Sequence, residues 1–211
     1  MPTSFPAPRP TRRALVGAAL AVAAAAACAA DAASDAPTAA RAAVTAAGTA
    51  ARAPDAGHGG HGTMAPVAVT PGHRQAAEQV RRATAAFADP GAAKAAGYTV
   101  QYPAGCAYAD VGAQGVHWLN ESLVDNHVNL LTPELLMYEP QPDGSMVLVG
   151  VDYVIPFDAW KSPQPPRLLG VPMMRNEGLK VWALHIWAQR ENPSGLFAPW
   201  NPTVRCPGSA N

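Results

Sequence analysis

Hydrophobic and polar positions along the chain change their rhythm twice. Residues 14–27 form an unbroken apolar run. Residues 29–71 are mostly Ala, Gly, Pro, Thr and Asp, and from residue 72 onward bulky apolar side chains recur at regular spacing. In this last region Ala76, Val80, Ala83, Thr84 and Phe87 return every three or four residues, one stripe of an α-helix. Thr70-Pro71 ahead of them has the form of an N-cap followed by proline at the first helical position. Glu78 and Arg82 stand one turn apart on the other side, a favourable pair. Asp89-Pro90 closes this helix and caps a short second one, which ends at Gly97. Alanine dominates the inner stripe, so the helix is expected to lie close against a flat partner, and a sheet supplies one.

Beyond Gly97 the pattern becomes that of strands and loops. Segments 116–120, 134–139, 146–155 and 181–189 are short apolar or alternating runs rich in β-branched and aromatic residues. Pro140 to Gly144 between the second and third runs predicts a hairpin. The Pro- and Gly-rich stretches 162–172 and 192–207 suit neither a helix nor a central strand. The expected fold is α+β, with an N-terminal helix packed on an antiparallel, barrel-like sheet joined by long loops.

Composition narrows the setting. Charged residues are 14% of 211, and 15 Lys+Arg balance 15 Asp+Glu without a basic block, which argues against nucleic acid as a partner. The longest apolar run is too short for the roughly 20 residues that cross a bilayer. With Arg9, Arg12 and Arg13 before it, that run reads as the h-region of an export signal over residues 1–28. The segment 11–16 looks like a twin-arginine signal, and Ala25-Ala26-Ala27-Cys28 resembles a bacterial lipobox that would lipidate Cys28. Cleavage just after Cys28, giving a soluble secreted protein, is the alternative. Either way the mature protein is expected outside the cytoplasm, touching a membrane only through a lipid anchor at Cys28. Residues 29–71 lack the bulk to offset their ordering entropy and are expected to be a disordered tether, leaving residues 72–211 as a single domain. With Cys28 lipidated or removed, Cys106 and Cys206 remain as an even pair and are expected to form a disulfide.

Within the expected domain, His117 and His185 stand mid-strand. Period two puts His117 on the face of Leu119, and His185 on the face of Val181, Ala183 and Trp187. An imidazole among apolar groups must find a partner or lose its charge. Glu134 opens one apolar run and Asp152 interrupts another, so the two histidines with these carboxylates could hold one divalent transition metal such as Zn, Fe, Mn or Cu. Nitrogen donors supply affinity and a carboxylate balances the ion's charge. A buried His–carboxylate pair that fixes strand register is the metal-free version of the same contact. His58-Gly59-Gly60-His61 in the tether could also take up Cu or Zn, whereas His127 reads as a surface residue. The serines lack a nucleophile-elbow context, and the five Trp suit a core or an aromatic-lined pocket.

Several blocks carry a resemblance: Gly115-Val116-His117-Trp118, the run from Pro133 to Pro140, Gly150-Val151-Asp152-Tyr153, Leu184-His185-Ile186-Trp187 and Asn192-Pro193-Ser194-Gly195-Leu196-Phe197. Together with Ala95-Ala96-Gly97-Tyr98 before them and Asn201-Pro202 and Cys206 after, they resemble a group of exported bacterial proteins carrying these blocks in this order. The resemblance implies a shared fold unit over most of 75–206 and no particular reaction. The group usually has Met-Gly-x-His where this chain has Gln114-Gly115-Val116-His117, and usually Glu where this chain has Asp152.

Two function classes follow. One is an exported cell-envelope protein with a metal held by His117, His185, Glu134 and Asp152. The other is a structural or small-ligand-binding lipoprotein whose histidines belong to the core. A hydrolase using His and carboxylate as acid and base would require an open cleft at the same place.

Overall fold

The computed structural model describes residues 65–209. The expected signal, Cys28, the glycine-flanked His58 and His61, and most of the expected tether lie outside the described residues.

Thr70 opens α1 (Pro71–Ala83) as the sequence predicts. Its hydroxyl accepts from the His73 N–H at 3.2 Å, and the His73 ring accepts from the Thr70 N–H at 3.3 Å. This is a capping box with histidine in the place of the usual Glu or Gln. Glu78 pairs with both Arg81 and Arg82 at 2.6 and 2.8 Å. The helix stops sooner than the apolar stripe suggests. The buried Thr84 turns its hydroxyl back to the Val80 carbonyl, and the chain tightens into a 3-10 turn, Ala85–Ala88, that carries Phe87. The Asp89 carboxylate then accepts from Gly91 N–H at the start of α2 (Pro90–Ala95), and Gly97 ends it with φ +100°.

The strands are β1 (Val100–Ala109), β2 (Gly112–Leu119), β3 (Leu135–Pro140), β4 (Met146–Pro156), β5 (Arg167–Leu168), β6 (Val171–Pro172), β7 (Met174–Asn176) and β8 (Val181–Ile186). Six of them form an antiparallel sheet in the order β1-β2-β3-β4-β8-β7, and β5 and β6 pair as a separate short ribbon. The four expected strands are therefore the four central ones, β2, β3, β4 and β8. The two edges were not expected. β1 carries Pro103 and Gly105, which weaken a central strand but are tolerated at an edge, and β7 is only three residues long.

Alternation along the central strands gives the sheet two different faces. Leu136, Tyr138, Val151, Tyr153, Leu184 and Ile186 point one way and pack with Val80, Ala93 and Tyr98 from the helical segment. This is the expected contact of an alanine-rich helix with a sheet. Val67 also packs against this cluster, so the packed part reaches back past residue 72. Three phenols on this side, Tyr98, Tyr138 and Tyr153, donate to the Pro133, Phe87 and Leu130 carbonyls and so clasp the crossing loops.

The other face is concave, because the sheet curls into a half-barrel. At one end Met137, Val149 and Trp187 pack under Val204 and Cys206 of the C-terminal segment. At the other end Leu119, Leu135, Val154, Val181 and Ala183 form a second apolar cluster. Cys106 of β1 is bonded to Cys206, with Cα atoms 5.7 Å apart and 100 residues of chain between them, as expected from the cysteine count. The buried Glu139 reinforces the same strap by accepting from the Arg190 guanidinium at 2.7 Å and the Arg205 N–H at 2.8 Å.

Candidate metal centre

Between the two apolar ends of the concave face stand three polar side chains from three different strands. His117 comes from β2, Asp152 from β4 and His185 from β8. They are 2%, 6% and 1% exposed, so the period-two reading of both histidines as inward-facing holds. Asp152 and His185 are direct partners in the β4–β8 register, and His185 Nε2 lies 3.4 Å from Asp152 Oδ2. His117 is three strands away from His185 in the sheet order. At about 4.8 Å per strand, a flat sheet would set their backbones roughly 14 Å apart. Their ring centroids are 5.8 Å apart, a convergence that the curl of the sheet and the reach of two imidazoles achieve together. One ligand atom from each of the three residues falls within 4.8 Å of the other two.

The floor of the site follows from register. Leu135 pairs with Asp152 and Met137 with His117, so β3 supplies apolar side chains between the polar ones. Gly150 pairs with Met137, and a Cβ there would come within 2.6 Å of the Met137 side chain, so the missing side chain makes room for methionine. The cavity beside the trio has a volume of about 20 Å³ and is lined by Tyr102, Gln114, Asn176 and Leu179 together with the three candidate ligands. That volume suits one water molecule or one ion and excludes an organic substrate.

Glu134, the fourth expected ligand, is not in the converging group. It directly precedes Leu135, whose side chain lines the cavity, so strand parity sends the Glu134 side chain the other way. It is buried among the phenols, where its charge helps raise the Tyr98 and Tyr153 hydroxyls, and its Oε2 accepts from the Val154 N–H at 3.3 Å. Burial pushes its own carboxyl up to about 8, against the lowering effect of the backbone hydrogen bonds and with a smaller contribution from the charge of Asp152.

Gln114 is the cavity residue that period two misses. Counting back from His117, position 114 belongs to the opposite face. A bulge intervenes: Ala107 pairs with Gly115 and Tyr108 with Ala113, which leaves Gln114 as the extra residue. Gly115 takes φ +89° there, and a Cβ would lie 2.3 Å from the Tyr138 carbonyl oxygen, so this position requires glycine. The sequence signal was Gly115 itself, a glycine immediately ahead of the 116–120 run, where a bulge can extend a strand backwards. His127 is exposed beside Asp125, as expected of a surface residue. None of the five Trp lines this cavity: Trp187 is buried in the core, and the other four are half-buried.

No protein-family model, curated protein or solved structure matches the chain.

Proposed function

We propose that this is an exported domain that binds one divalent transition metal in the hollow of its half-barrel, with His117, His185 and Asp152 as ligands. The observation that carries the reading is the convergence of two imidazoles and a carboxylate, from strands far apart in the chain, beside a space of ion size. Two nitrogen donors and one anionic oxygen, without thiolate, suit Zn, Mn, Fe or Cu(II). Asp152 alone would serve His185 as a core partner. It is the approach of the second imidazole, His117, to the same point that favours a metal over a simple His–carboxylate pair. The disulfide supports an extracytoplasmic setting. Delivery by the signal over residues 1–28, with anchoring through Cys28 or release, belongs to the same proposal.

The test is metal content. Protein purified from its native compartment should carry about one metal ion per chain, and His117→Ala or His185→Ala should lose it. A metal-free wild-type protein that takes up no Zn(II), Mn(II) or Co(II), with His117→Ala changing stability alone, overturns the reading.

One observation favours a second reading, small-ligand binding. The apolar cluster at the open end of the hollow borders a groove of about 530 Å³ that shares Tyr102, Val154, Leu179 and Val181 with the ion-sized cavity. Grooves of this size and lining hold small apolar molecules. Binding of an apolar dye, unchanged by metal removal and lost on Leu179→Asp, is the result expected on that reading.

A further inference from the structure

We infer that Gln114 is the fourth ligand of this centre, which makes it a closed site that holds an ion rather than one that offers an open position for chemistry. The inference rests on the metal reading above and adds a residue and a consequence to it. Four observations support it. Gln114 is buried and lines the same cavity as His117, Asp152 and His185. It reaches that side of the sheet only through the bulge at Gly115, a backbone irregularity of the kind that re-aims one side chain. Its amide has a defined orientation, because Nε2 donates to the Pro199 carbonyl at 2.9 Å and a carbonyl can only accept. The carbonyl oxygen is therefore the opposite end of the amide, a neutral oxygen donor of the type that divalent ions accept.

The other polar residues lining the cavity suit the role less well. Asn176 directs its amide oxygen to the Leu179 N–H at 3.0 Å, which turns its nitrogen end, a donor unable to ligate a cation, the other way. Tyr102 donates its hydroxyl to the Leu179 carbonyl at 3.2 Å, and burial raises its pKa, so a phenolate ligand is disfavoured. A set of two imidazoles, one carboxylate and one amide oxygen completes four-coordination from the protein alone. Three protein ligands with the fourth position left to water is the pattern of catalytic zinc, and four protein ligands is the pattern of structural zinc.

Cobalt(II) reports on both claims, since its visible absorption follows coordination number. The wild-type protein should bind Co(II) with a four-coordinate spectrum that added azide does not change. Gln114→Met preserves the side-chain length without an oxygen. It should bind Co(II) about 10- to 100-fold more weakly and give a spectrum that azide shifts, because water then fills the vacated position. Gln114→Glu should restore affinity to the wild-type level or above. Thermal unfolding of the metal-free proteins, set beside the affinities, separates a ligand from a packing residue. Gln114→Met and Gln114→Glu both lose the hydrogen bond to the Pro199 carbonyl and should lower the midpoint alike. An affinity loss in Gln114→Met that Gln114→Glu reverses therefore marks a ligand, and an equal affinity loss in both variants overturns the assignment. Unchanged affinity and spectrum in Gln114→Met also overturn it while leaving the three-ligand centre standing. Failure of the wild-type protein to bind Co(II) at all overturns the metal reading and this assignment with it.

Discussion

At Glu134 and Leu135 the parity of a strand separates two neighbouring side chains into different environments. Leu135 lies in the hollow beside Asp152, whereas Glu134 lies among the phenols of the helical face and meets the backbone of Val154. Its carboxyl is displaced upward from the ordinary value of 4.5 to about 8 by burial, so the folded protein binds this proton more tightly than the unfolded chain does. The linked stability is fully present below pH 4.5 and is lost as pH rises through about 8. Urea unfolding at pH 5 and at pH 8.5 should therefore show wild type weakening with pH, and Glu134→Gln, which cannot ionise, should remove most of that slope. Glu139 is a buried carboxylate met by Arg190 and by the Arg205 N–H. Replacing it with Ala leaves the half-buried Arg190 without its carboxylate partner, and should lower stability by about 2–4 kcal/mol in denaturant titration. Much of the candidate centre was legible at this scale. His117 and His185 interrupt apolar runs at the parity of core residues, and Asp152 does the same in β4. Glu134 was expected in this group and lies outside it, because it stands at the mouth of a strand, where the side a residue faces is set by a boundary that the sequence does not mark. Gln114 was missed because a bulge resets the count.

Elements carry the next set of consequences. The four central strands and both helices follow from periodicity and caps, and the N-cap at Thr70 was readable from Thr-Pro alone. Thr70→Ala should cost about 1 kcal/mol, measured as a shift in the unfolding midpoint, since it removes one half of a reciprocal cap. The edges were not readable. β1 joins the sheet through register shifts, with Pro103 and Gly105 inside it, and its sequence looks like a loop because one of its sides needs no pairing. The bulge in β2 is the element on which the centre depends. Gly115→Ala would bring a methyl group against the Tyr138 carbonyl and hold a side chain at φ +89°. The expected loss is about 2 kcal/mol or more, together with weaker metal binding, because the backbone that aims Gln114 must move. Equal stability and equal affinity in this variant would show that the bulge is incidental to the hollow.

For the molecule as a whole, the concave face is shaped by parts that come late in the chain. The segment carrying Pro199, Asn201 and Cys206 lies across the β1–β2 hairpin through the Ala113–Asn201 bridge, the Gln114–Pro199 hydrogen bond and the disulfide. Cutting the disulfide in a Cys106→Ser, Cys206→Ser variant frees a loop of 100 residues and should lower stability by about 4 kcal/mol, read from denaturant midpoints of the oxidised wild type and the variant. The same variant should bind metal more weakly, since the strap that orients Gln114 loosens. The disulfide also imposes an order of assembly. Cys106 must wait for the ribosome to add a further hundred residues before its partner exists, so a nascent chain can present both imidazoles while one wall of the hollow is still missing. A cation captured during that interval would be held by three groups and could escape, whereas one captured after oxidation would be enclosed. On the proposed metal reading, loading would be tied to the compartment where thiols are oxidised, and the ion retained would be one abundant there.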